Sequence, residues 1–116
     1  MAMIAVGLLM PASGAAAADN YGAIAYSRTS GARAYSHDYS TRAGAETRAL
    51  GECRARGRGC KIVTWYRNAC GALASGPDGW GASWSSSRRA AENKALAKCS
   101  TYSYSCGVLV WSCTTR

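Results

Sequence analysis

Phenylalanine is absent from this 116-residue chain, proline occurs twice and histidine once, and 6 acidic residues stand against 14 lysines and arginines. The lone His37 leaves no second imidazole to share acid–base work. Large aliphatics are also few in the part after residue 18: Ile24, Leu50, Ile62, Val63, Leu73, Leu96, Val108, Leu109 and Val110. A domain of about 100 residues buries proportionally little surface, so a core this thin is marginal unless something else contributes. Charge is missing altogether before Asp19. The apolar run Met1 to Met10, followed by small residues through Ala18, is too short to span a membrane. It reads as a secretory signal cut near Ala18. No Lys or Arg precedes that run, which leads us to expect a start inside a longer signal. The expected organisation is a signal peptide over 1–18 and a single secreted domain over 19–116, extracellular or periplasmic.

What is present answers the thin core. Six cysteines in an exported domain of this size read as a disulfide framework, an even set with none left over. Each bridge stabilises by typically ~2–4 kcal/mol. The net charge of +8 favours anionic partners. An anionic cell-envelope polymer or another secreted protein is the expected partner, and nucleic acid is not.

The chain is organised by an internal repeat. Ala45-Glu46-Thr47-Arg48-Ala49-Leu50-Gly51-Glu52-Cys53, a loop, and Cys60-Lys61-Ile62-Val63-Thr64-Trp65 recur as Ala91-Glu92-Asn93-Lys94-Ala95-Leu96-Ala97-Lys98-Cys99, a loop, and Cys106-Gly107-Val108-Leu109-Val110-Trp111. The offset is constant from Ala45/Ala91 to Trp65/Trp111. In each copy Ala, Ala, Leu and Cys fall on one narrow helical stripe suited to close packing on a sheet. Ser40-Thr41 and Ser86-Ser87 supply hydroxyls to cap the helix starts.

Ahead of each helix lie two strand candidates, Tyr21 to Ser27 with Ala32 to Tyr39, and Cys70 to Gly76 with Trp80 to Ser85. The second copy is three residues shorter here, a gap expected in the loop between them. The strands after the helices, Lys61 to Arg67 and Gly107 to Cys113, carry apolar residues on both faces and are expected to sit centrally. On plain alternation, Ile62 and Val108 occupy one face, and Val63, Trp65, Leu109 and Trp111 the other. The unit is thus ββαβ, present twice, at about 21–68 and 70–116. The predicted fold is α+β, one mainly antiparallel sheet with two helices packed on it.

Equal spacing pairs Cys53 with Cys60 and Cys99 with Cys106, a helix end meeting the next strand across a short loop. Cys70 and Cys113 both lack a counterpart in the first copy, which makes them partners. A four-cysteine zinc site is the rival, but its ligand pairs are normally closer in sequence. Neither metal nor cofactor is expected.

Tyr21-Gly22-Ala23-Ile24-Ala25-Tyr26, the Ala-Glu-x-x-Ala-Leu-x-x-Cys helices, Cys60-Lys61-Ile62-Val63 and Cys70-Gly71-Ala72-Leu73-Ala74 together resemble family 4189 of the domains of unknown function. The resemblance covers about Tyr21 to Cys113. It implies a small secreted bacterial protein with a disulfide-bonded α+β domain, and it brings no catalytic residues.

No catalytic constellation stands out. His37 and Asp38 are neighbours, and on a regular strand they point to opposite faces. Glu46 and Glu92 are repeat equivalents that could converge as a carboxylate pair for glycoside hydrolysis, although an early-turn Glu ordinarily complements the helix dipole. Their i+4 neighbours are Leu50 and Leu96, so that spacing provides no ion pair.

The loops between paired cysteines differ most. One holds Arg54, Arg56 and Arg58, suited to carboxylate or phosphate and expected to be flexible. The other holds Tyr102 and Tyr104 among serines, suited to amphipathic contact. Trp80 and Trp84 share one strand face, as core or as a partner surface. The leading expectation is a non-enzymatic binding domain. The alternatives are a cell-wall hydrolase using Glu46 and Glu92, and an inhibitor or immunity-type protein acting through its loop face.

Overall fold

The computed structural model describes residues 19–114, and the expected signal segment lies outside them. The elements run β1 (Tyr21–Tyr26), β2 (Arg33–Tyr39), α1 (Arg42–Arg54), β3 (Lys61–Arg67), β4 (Cys70–Ser75), β5 (Trp80–Ser85), α2 (Arg88–Tyr102) and β6 (Gly107–Cys113). Each helix starts at its hydroxyl cap. Thr41 Oγ1 accepts from the Gly44 amide at 2.9 Å, and Ser87 Oγ from the Ala90 amide at 3.2 Å. Both bonds satisfy a donor that the first turn leaves free.

The class is α+β and all strand pairing is antiparallel, but the strands form two three-stranded sheets, β2-β1-β3 and β5-β4-β6, rather than one. The composition of the middle strands explains the split. In β1, Ala23 and Ala25 pack against Ala45, Ala49 and Cys53 of α1, while Ile24 and Tyr26 face the other sheet. In β4, Ala72 and Ala74 meet Ala91, Ala95 and Cys99 of α2, while Leu73 faces inward. Small residues on one side let a helix lie close, and larger ones on the other fill the space between sheets. The layers are therefore helix, sheet, sheet, helix.

This arrangement corrects the expected strand order. β1 and β4 are central, and β3 and β6 are edges. A bulge in β3 and another in β6 also overturn the expected faces. Ala25 pairs with Ile62 and Ile24 with Thr64, so Val63 is the extra residue; in β6 it is Leu109. One extra residue re-aims those beyond it. Ile62 and Trp65 thus share the helix side of sheet one, and Val63 and Leu109 pack between the sheets.

The three-residue length difference is divided too. Part lies in the turn, Tyr26 to Arg33 against Ser75 to Trp80, and part lies after the pairs Ala23–Ser36 and Ala72–Ser83. There the first half carries an additional residue, and Asp38 takes a left-handed φ of 64°.

Between the sheets stands Tyr66, the largest fully buried side chain. Gly22 of β1 and Gly71 of β4 flank its ring, and a Cβ at either would enter the ring's van der Waals envelope. Its hydroxyl donates to the Ser36 carbonyl at 3.1 Å. Burial pushes the phenol well above its ordinary pKa.

Cys53–Cys60 and Cys99–Cys106 each tie a helix end to the residue before the next strand, with Cα separations of 6.1 and 6.2 Å. Cys70–Cys113 joins directly paired residues of β4 and β6. Among the described residues no cysteine is free and no helix is long and apolar enough to cross a membrane.

Candidate functional site

The turn after β1 and the turn after β4 meet. Arg28 donates to the Pro77 carbonyl, and Tyr26 and Ser75 hydroxyls lie 3.3 Å apart. Each cysteine-closed loop packs on the turn of its own half. Ser30 Oγ donates to the Arg58 carbonyl at 3.0 Å, and the Asp78 amide donates to Ser103 Oγ at 2.8 Å. Both loops therefore fall at one end of the molecule. The arginine loop is seated rather than loose, because Gly57 lies so close to Ser30 and Ala32 that no side chain fits there.

Ion pairing leaves that end cationic. Glu46 pairs with Arg42, Glu52 with Arg48 and Arg56, Asp19 with Arg67, and Glu92 with Arg88. Among the described residues, Arg28, Arg33, Arg54, Arg58, Lys61 and Lys98 have no carboxylate partner, and all lie at the loop end. Arg89 and Lys94 are the unpaired cations elsewhere.

At the same end a cleft of about 520 Å³ opens between the sheets, lined by Val63, Trp80, Ala82 and Tyr102 and rimmed by Arg28, Lys98 and Asp78. Trp80 stands edge-on to Tyr26 at 5.9 Å, and Lys61 Nζ lies 5.4 Å from the Trp80 ring centre. Lys98 Nζ donates to the Ala82 carbonyl at 3.3 Å, which holds it at the rim.

The sequence candidates are thus partly gathered. Trp80 and Tyr102 share the cleft, Tyr102 as the last residue of α2 rather than in the loop; Arg54 likewise ends α1, and Arg56, Arg58 and Tyr104 lie in the two loops at the same end. Trp84 lies elsewhere, exposed at the edge of sheet two beside Trp65 and Arg67. Sequence reasoning does not single out Lys98, Arg28 and Lys61; their signal is position, with Arg28 in the turn after β1, Lys61 at the start of β3 and Lys98 in the last turns of α2.

Glu46 and Glu92 do not meet. Each is on the outer helix of a different sheet, and each is held by the arginine four residues before it, at 2.8 and 3.0 Å. The ion pair of each glutamate runs back along the helix, to the residue at i−4 rather than i+4.

His37 and Asp38 do cooperate, contrary to the alternation argument. The left-handed residue turns the Asp38 carboxylate to 3.1 Å from His37 Nδ1. Thr114 Oγ1 donates to the other carboxylate oxygen at 3.0 Å and accepts from the Asp38 amide at 2.9 Å. The six cysteines are spent in bridges, and no group of three or more metal-ligating side chains occurs among the described residues.

These features define a small disulfide-bonded α+β domain with a cationic, aromatic end. The chain belongs to the family described as Domain of unknown function (DUF4189), which matches residues 21–113. Comparison with the curated proteins and with the solved structures finds no match.

Proposed function

We propose that this chain is an exported, non-enzymatic binding domain whose loop end captures an anionic polymer of the cell envelope. The observation that carries this reading is the segregation of charge. Carboxylates neutralise arginines along the helices, while the unpaired cations collect at the loop end, with Arg28 and Lys98 at the rim of the Trp80 and Tyr102 cleft and Lys61 beside Trp80. Arginine and lysine supply the electrostatic capture, and the aromatic cleft supplies amphipathic contact once the polymer is held. Disulfides support the exported setting because they persist in oxidising compartments.

Replacing Arg54, Arg56 and Arg58 together with serine is expected to weaken binding to isolated envelope material, and to polyglutamate as a defined polyanion. Three exposed arginines, of which Arg56 is shared with Glu52, at ~0.5 kcal/mol each correspond at most to roughly a tenfold loss at low salt. The loss shrinks at moderate salt because exposed charges are screened. Equal binding by variant and wild type at both salts would return the arginine loop to the status of a solvated turn. Wild-type binding that persists at high salt would favour a Tyr–Trp protein interface, as an inhibitor requires. Intact mass of the exported species tests cleavage near Ala18.

A further inference from the structure

We infer that the two long edges of the sandwich carry a pair of equivalent saccharide-binding grooves, one where Trp65 and Arg67 of β3 face Trp84 of β5, the other where Trp111 and Ser112 of β6 face Tyr35 and His37 of β2. These grooves are distinct from the loop-end cleft, and the inference does not rest on the polyanion reading.

The first observation is which residues the two halves keep in common. From the helix start to the end of the following strand, identical positions are Arg42/Arg88, Glu46/Glu92, Trp65/Trp111, two alanine pairs, one leucine pair and the bridged cysteines. Alanine, leucine and cysteine are buried or half-buried, so folding alone accounts for them. The arginine and tryptophan are exposed in both halves, with Trp65 at 36% and Trp111 at 42%. Exposed positions around them have diverged freely, down to the arginine and tyrosine–serine loops.

The second observation is how the tryptophans are held. Glu46 fixes Arg42, whose guanidinium carbon lies 4.2 Å from the Trp65 ring centre; Glu92 fixes Arg88, 3.8 Å from that of Trp111. A ring braced by an ion-paired guanidinium loses little freedom when a ligand arrives. Docking the helix onto the edge strand would be served by a buried ring, yet both rings stay open to solvent.

The third observation is what surrounds the rings. The first groove, about 270 Å³, has Tyr66 beneath and Trp84, 53% exposed, opposite. The second, about 490 Å³, has Ser112 where the first has Tyr66, and is correspondingly wider. Tyr35 stacks on His37 at 6.1 Å along it, and the Asp38 carboxylate orients that imidazole. Aromatic faces interleaved with planar polar groups complement a pyranose. Its C–H face carries slight positive charge toward the negative π face, and its ring hydroxyls bond to guanidinium, imidazole, phenol and hydroxyl groups. Two such grooves on one chain suit a repeating glycan.

The test titrates the folded chain with two soluble probes, the tetramers of β-1,4-linked N-acetylglucosamine and of β-1,4-linked glucose, and follows indole N–H signals by NMR. Expected are shifts at Trp65, Trp84 and Trp111 with Trp80 unmoved, and two sites per chain for at least one probe. Trp84→Ala removes an exposed wall and is expected to weaken the first site at least tenfold while sparing the second. His37→Ala is expected to do the reverse. Because both residues are exposed, each variant is expected to keep the wild-type melt. Unmoved indole signals at millimolar concentrations of both tetramers would overturn the inference, as would shifts indifferent to both substitutions. Polyglutamate binding is expected to be unchanged in both variants, so this inference and the loop-end reading fail separately.

Discussion

Replacing Tyr66 with alanine is expected to lower the thermal midpoint by on the order of 20 °C. An aromatic-to-alanine change in a packed core costs roughly 3–5 kcal/mol, and in a domain of this size each kcal/mol moves the midpoint by about 4–8 °C. The upper part of the range applies because the ring touches both halves. Gly22 and Gly71 approach it from opposite sheets, so neither sheet can collapse into the void without leaving its own helix. Tyr66→Phe keeps the wedge and loses the hydroxyl's bonds, to the Ser36 carbonyl and with the Ser112 side chain, worth about 1 kcal/mol each. A calorimetric melt distinguishes the two, and similar midpoints would mean that the wedge is not what joins the sheets.

The same residue sets a limit at high pH. Its folded pKa is raised, chiefly by burial. The stabilisation is thus complete below the unfolded value near 10 and is lost as pH rises through the folded value. Wild type is expected to lose stability above about pH 10 more steeply than Tyr66→Phe. Parallel profiles for the two would contradict this.

Reduction of the three bridges is expected to abolish the cooperative melt. In the loop-closure description, a separation of 7 constrains the unfolded chain by about 2.5 kcal/mol, and a separation of 43 by about 4 kcal/mol. Together these fall within the ~5–15 kcal/mol that holds an ordinary domain together. Replacing Cys70 and Cys113 with alanine is accordingly expected to lower stability more than replacing Cys53 and Cys60. Denaturant titration measures both, and the reverse order would point to strain relief or lost packing instead of chain entropy.

Much of this architecture can be read before any coordinates. The Ala45, Ala49, Cys53 stripe and its copy point to the buried side of each helix, Thr41 and Ser87 mark the starts, and equal cysteine spacing pairs the residues that the structure joins. What escaped is of a different physical kind. Large apolar residues on both faces point to β3 and β6 as central, whereas β1 and β4 are central because glycine and alanine admit a helix on one side and Tyr66 on the other. The bulges at Val63 and Leu109 are single-residue events inside ordinary apolar runs, with no glycine or proline to announce them. The His37–Asp38 contact depends on one left-handed residue, which a strict strand period cannot represent. Of the site, the loop residues, Trp80 and Tyr102 are legible as types; their gathering at one end of the molecule depends on the two turns meeting there.

Two three-stranded sheets leave more open borders than one six-stranded sheet would, and the borders are not equally protected. β3 carries Lys61 and Arg67, charges that discourage another chain from adding a strand. β6, Gly-Val-Leu-Val-Trp-Ser-Cys, carries none. What interrupts its outward row of amides and carbonyls is the bulge at Leu109, which breaks the flat repeat that a templated neighbour would need. A chain shortened at that position would present a straight, uncharged, β-branched border, and lateral association between copies would follow from the loss of one residue.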